Sequence, residues 1–108
     1  PSFRLWRFGE GARSPPLLVC TPFALHGAQI ADLAPGHSLV EALLAGGAGT
    51  LTVLEWRSTR PDQSHRSIDD LLADLSLAVD DLGGVADLVG LCQGGWLALM
   101  LAARHPAK

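Results

Sequence analysis

The chain is short of cysteine, of long apolar runs and of basic charge, and each shortage excludes something. Cys20 and Cys92 are its two cysteines. Neither has a second Cys or His at ligand spacing, so the pattern offers no metal site. A Cys20–Cys92 bridge would need Cα atoms within ~7 Å and an oxidising compartment, so reduced, intracellular thiols are expected instead. The longest uninterrupted apolar run, Trp96 to Ala103, is far too short to span a bilayer. The opening Pro1-Ser2-Phe3-Arg4 shows no basic-then-apolar stretch of a signal peptide. Eight Lys and Arg stand against 11 Asp and Glu, a formal charge of −3, which gives no electrostatic footprint for nucleic acid. No internal repeat, charge block or low-complexity segment interrupts the chain. The expectation is a soluble, cytoplasmic globular protein without a transmembrane segment.

What the chain does have is apolar residue, 48% over 108 positions, arranged in alternating strand and helix patterns. Phe3 to Phe8 alternates as an outer strand would, and Gly9 to Pro16 is turn chemistry. Leu17 to Thr21 is a short apolar strand stopped by Pro22, and Phe23 to Gly36 is a loop. Ser38-Leu39-Val40-Glu41 matches a capping box, opening a helix that runs to a Gly46-Gly47 stop. Thr50 to Leu54 is a β-branched, buried strand, and Arg57 to Ser67 is polar loop. Ser67 caps a second helix, with Asp69 and Asp70 in its first turn and an apolar stripe of Leu71, Leu75, Val79 and Leu82. Gly83-Gly84 ends it. Leu88 to Leu91 reads as a buried parallel strand, and Gln93 to about Arg104 as the last helix. The order β, β, α, β, α, β, α predicts a three-layer α/β/α fold around a mostly parallel sheet. It is expected to form one incomplete domain over residues 1–108, whose last strand has an open edge unless more chain follows.

The junction between the last strand and helix carries the chemistry. In Gly90-Leu91-Cys92-Gln93-Gly94-Gly95, glycines on both sides leave the cysteine on a turn too tight for bulky neighbours. This is the layout of a nucleophile elbow, G-x-C-x-G, with cysteine in place of the commoner serine. Such a turn lifts the sulfur out of the sheet top, where the first helical turn favours both a thiolate and an oxyanion. A merely buried cysteine needs no glycines at −2, +2 and +3. A phosphate loop would want G-x-G-x-x-G or a lysine after the second glycine, and a phosphatase loop an arginine where Ala98 stands. The aspartates Asp69, Asp70, Asp74, Asp80 and Asp81 read as a capped, solvated helix face. Trp96, Leu99, Met100 and Ala103 read as core packing, and Trp56 as a buried structural aromatic.

Together, the elbow and the stretch Asp32-Leu33-Ala34-Pro35-Gly36-His37-Ser38-Leu39-Val40 resemble the polyhydroxyalkanoate synthases, acyltransferases of the α/β-hydrolase fold. Their elbow is G-x-C-x-G-G, a pattern that dienelactone hydrolases share, and their upstream helix opens with D-L-x-P-x-x-S-L-V. Leu54-Glu55-Trp56 matches their later strand, which also ends in tryptophan. The chain departs from them at Thr21-Pro22, where they carry Pro-Pro. It departs again at Leu25-His26-Gly27-Ala28, where they carry Asn-Lys and aromatics. The resemblance implies a partial hydrolase fold, with the strand Leu17–Thr21 between Thr50–Leu54 and Leu88–Leu91 and a crevice at the strand carboxyl ends.

It also implies roles. Cys92 would attack the thioester of a 3-hydroxyacyl-coenzyme A, a substrate, with no further cofactor. The backbone N–H groups of Gln93 and Phe23 would hold the oxyanion. His26 would lie in the substrate loop. A growing polyester chain would be the partner, with room for a homo-oligomer and for localisation at polymer granules. The acid and His of this fold follow the nucleophile in the chain. The downstream His105 lies 13 residues along the helix, roughly 20 Å away at ~1.5 Å per residue, and cannot be the base. His37 is assigned to the helix entry and His65 to the polar loop. Two other readings remain: a Cys-dependent α/β hydrolase (thioesterase or dienelactone hydrolase-like), and a non-catalytic relative that binds granules or a partner enzyme.

Overall fold

A computed structural model describes residues 3–23, 28, 31–57 and 66–108. Strands β1 (Phe3–Gly9), β2 (Leu17–Cys20), β5 (Thr50–Trp56) and β6 (Asp87–Gly90) form one sheet in the order β1-β5-β2-β6. β2 runs parallel to both neighbours, with Cys20 opposite Leu54 on one side and Gly90 on the other. β1 is antiparallel to β5 at one edge, and β6 is the other edge. The strand order expected from the resemblance is the one observed.

Side-chain alternation along β2 builds two cores. Leu18 and Cys20 face α2 (Ile68–Asp81) and α3 (Gln93–Arg104), packing with Leu54, Trp56, Leu75, Val79, Leu97 and Leu101. Leu17 and Val19 face the other way and pack with Leu51, Val53 and Val40 of the short helix α1 (Leu39–Leu43). Among the described residues the architecture is mixed α/β, with a mostly parallel four-stranded sheet, three α-helices and a π-helical segment, Leu44–Ala48, that continues α1. No helix among the described residues is long and apolar enough to cross a membrane.

Local signals account for the helix ends. Ser67 and Asp70 form a reciprocal capping box at the start of α2. Beyond its end, Gly83 and Gly84 both take positive φ, and their N–H groups donate to the carbonyls of Asp80 and Val79. At α1 only half of the expected box forms. The Glu41 N–H donates to Ser38 Oγ, while the Glu41 carboxylate accepts from Gly36 instead.

Several expectations need correction. The loop after β2 contains a small hairpin, β3 (Asp32–Ala34) and β4 (His37–Ser38), turned at Gly36 with φ +81°. Ser38 Oγ donates to Asp32 Oδ1 at 2.6 Å, tying its two strands together. The buried face of α2 is Leu72, Leu75, Ala78 and Val79, with Leu71 and Leu82 at its margins. β6 is one residue earlier than predicted and half-exposed, because it is an edge strand.

The largest departure concerns α3. Leu97, Ala98 and Leu101 are buried, but Trp96 is 62% and Leu99 73% exposed, with Met100 and Ala103 also outward. These four share one helical stripe. α3 covers the last strand of the sheet, and no described element lies beyond it to meet that stripe. A groove of about 570 Å³ runs between β6 and this side of α3, lined by Leu88, Trp96, Leu99, Ala102 and His105.

Candidate functional site

β6 ends at Gly90 and α3 begins at Gln93, so two residues make the whole turn. Cys92 is the N-terminal flanking residue of α3, with φ 52° and ψ −117°. Among the described residues it is the one non-glycine with positive φ. A side chain held there costs of order 1–3 kcal/mol, and persists where the surroundings impose it. Here they do. The Leu91 N–H donates to the Cys20 carbonyl at 3.0 Å, and the N–H groups of Gly94 and Gly95 donate back to Leu91 and Cys92.

The glycines differ in what they do. A Cβ on Gly90 would lie 2.3 Å from the Gly95 Cα, and one on Gly94 would lie 2.0 Å from the Cys20 carbonyl oxygen. Both clashes are with backbone, so the helix start can approach the sheet only without those side chains. Gly95 is different: its Cβ would meet Gly90 at 3.6 Å, an ordinary contact. These contacts do not require a glycine at position 95, so the expectation of a turn too tight for bulk holds at Gly90 and Gly94.

Cys92 is exposed and Cys20 is buried; both are free thiols. Burial pushes the Cys20 thiol up to about 12 from 9.0, so it stays protonated and apolar. The two cysteines therefore divide into an accessible sulfur and a core residue. An exposed thiol on a rigid turn at a helix start can attack an electrophile arriving at the sheet's carboxyl end.

Phe23 follows β2 by three residues, just as Cys92 follows β6 by two, so both leave the same end of neighbouring strands. Phe23 is half-buried and packs on the core with α2 and α3. Gln93 opens α3. His26 and His65 lie outside the described residues. His37 is exposed on β4, one residue before the α1 cap. His105 caps the far end of α3 and shares its groove with Ala86 and Asp87, at the amino end of β6. It stands at the opposite end of α3 from Cys92.

Four of the five aspartates of α2 are engaged, the Arg66–Asp74 pair half-buried and the others at the surface. Asp69 meets Arg104 at 3.1 Å, Asp74 meets Arg66 at 2.7 Å, Asp80 meets Lys108, and Asp70 holds the cap. Among the described residues no three His, Cys, Asp or Glu side chains stand together as metal ligands would.

Sequence reasoning missed a buried polar knot beside the site. The Thr21 hydroxyl donates to the Leu54 carbonyl at 2.6 Å, and Trp56 Nε1 donates to the Thr21 carbonyl at 3.0 Å. Trp56 is buried, as expected, and meets Phe3 edge to face at 6.3 Å. Its polar role depends on a contact across 35 positions, which no local pattern announces.

No family model, curated protein or solved structure matches this chain.

Proposed function

We propose that this chain is the nucleophile-bearing part of a cysteine acyltransferase of the polyhydroxyalkanoate synthase type, on an α/β-hydrolase fold. The observation that carries the reading is Cys92 itself: an exposed thiol in a left-handed conformation, on a two-residue turn from parallel strand to helix. That conformation is costly for cysteine, and a structural role would not need it. The strand order, and the Asp32–Ser38 tie within the D-L-x-P-x-x-S-L-V stretch, support the same reading.

In the proposed reaction the Cys92 thiolate attacks the thioester carbonyl of a 3-hydroxyacyl-coenzyme A. The N–H groups of Gln93 and Phe23 hold the oxyanion. The carbon–sulfur bond to coenzyme A then breaks, coenzyme A leaves as its thiol after taking a proton, and an acyl-Cys92 remains. A hydroxyl of a monomer or growing chain attacks next. It gives its proton to a base and returns the thiolate. Exchange between two thioesters is nearly balanced in energy, which suits cysteine better than serine. His105 caps the end of α3 opposite Cys92, so it does not serve as the base in this reaction.

The exposure of Cys92 favours one second reading, a Cys-dependent thioesterase or related hydrolase, because water would reach an uncovered acyl-enzyme. Incubating the complete protein with 3-hydroxybutyryl-coenzyme A separates the two. Mass spectrometry should find the acyl group on Cys92 and the product should be oligomeric ester. Free 3-hydroxybutyrate alone would leave the hydrolase, and absence of acylation would remove both.

A further inference from the structure

We propose that the end of β5, Leu54-Glu55-Trp56, is a clamp that positions the loop after β2 for the acylation step, with Glu55 and Trp56 as positioning residues. This inference rests on the reading of Cys92 as an acyl-accepting nucleophile. Regular pairing of β2 with β5 stops at Cys20 opposite Leu54. Beyond that point three contacts replace the ladder. Thr21 Oγ1 donates to the Leu54 carbonyl at 2.6 Å. Trp56 Nε1 donates to the Thr21 carbonyl at 3.0 Å. Past the next few residues, the Ala28 N–H donates to Glu55 Oε2 at 3.1 Å, while Glu55 Oε1 accepts from Trp6 Nε1 of β1 at 3.2 Å.

One strand end thus holds Thr21 and Ala28, which flank in sequence Phe23, the residue proposed to give the second oxyanion donor. Thr21 and Trp56 are buried, so neither contact can be exchanged for water without leaving an unpaired polar group. Glu55 is half-exposed and links three elements, β1, β5 and the loop. Oxyanion donors need positioning to within roughly 0.5 Å, and a backbone donor takes its position wholly from what holds its loop. A clamp of this kind acts in the transition state. It should therefore alter the acylation rate more than substrate binding.

The test uses the complete protein. Single-turnover release of coenzyme A from 3-hydroxybutyryl-coenzyme A is measured beside alkylation of Cys92 by iodoacetamide, which needs no oxyanion hole. Trp56→Phe keeps an aromatic side chain but removes the N–H, along with part of the buried indole volume. Glu55→Ala removes the carboxylate at a half-exposed position and leaves the core intact. Both should slow acylation about tenfold or more at saturating substrate, with KM and alkylation within about twofold of the parent. Glu55→Gln keeps one oxygen acceptor and should recover most of the rate. If acylation is unchanged in Glu55→Ala, or falls in step with alkylation, the clamp is structural only and the inference fails alone. If the parent protein acylates nothing while its Cys92 still alkylates, the acyl-transfer reading fails and takes the clamp with it.

Discussion

Gly94 rests directly on Cys20: a methyl group built on the glycine would sit 2.0 Å from the cysteine's carbonyl oxygen. That contact joins the first turn of α3 to the end of the central strand and fixes where the helix starts. Because the obstacle is backbone, it cannot move aside like a flexible side chain. Gly94→Ala and Gly90→Ala should each destabilise by about 3 kcal/mol or more, at or above the usual range for overpacking. Gly95→Ala, with ordinary contacts, should cost less than about 1 kcal/mol, offset in part by helix propensity. Urea unfolding of the three variants checks the order, and equal losses at all three would contradict it.

Strain at Cys92 makes a prediction about stability apart from activity. Relieving a positive φ with glycine gains more than the glycine loses in unfolded-chain entropy. Cys92→Gly should therefore be more stable than Cys92→Ala by about 1 kcal/mol, although both remove the sulfur. A Cys92→Ala protein at least as stable as Cys92→Gly would show that the turn is relaxed there.

The parts of this fold that depend on neighbours within one turn were readable from the chain. Ser67 and Gly83-Gly84 bound α2 because capping and left-handed stops are set by adjacent residues. The strand-turn-helix around Cys92 was readable for the same reason. Sidedness was not. Trp96, Leu99, Met100 and Ala103 have the same apolar character as Leu97, Ala98 and Leu101. Which set is buried depends on whether anything lies outside β6, a matter of sheet order and not of composition. Gly95 looked like Gly94 because only the distance to Cys20 separates them. The contacts of Glu55 and Trp56 span 27 and 35 positions and leave no periodic trace.

The two faces of α3 should respond differently to truncation in the 108-residue chain. Leu97 is fully buried, so Leu97→Ala should cost about 2–5 kcal/mol. Leu99 is 73% exposed, and Leu99→Ala should change stability by no more than about 0.5 kcal/mol. The exposed stripe should also bind a hydrophobic dye, with the signal falling when Trp96 and Leu99 are both replaced by serine. Similar losses at positions 97 and 99 would mean that both faces are covered.

Cys20 supplies a test that reads pH. Its folded thiol is raised to about 12 by burial, while the unfolded one titrates near 9.0. Below pH 9 both states keep the proton and the group adds no pH dependence. Between pH 9 and 12 the unfolded chain loses a proton that the native protein retains. Ionisation then favours unfolding, and stability declines by about 1.4 kcal/mol per pH unit from this residue. Under reducing conditions, urea unfolding at pH 8 and pH 10 should show the parent losing about 1 kcal/mol more than Cys20→Ala over that interval. At pH 8 iodoacetamide should label Cys92 alone in the native protein and both cysteines in urea. Native labelling of Cys20 at a comparable rate, together with equal pH dependence in the two proteins, would mean that this sulfur meets solvent and that the seam between β2 and α3 is open.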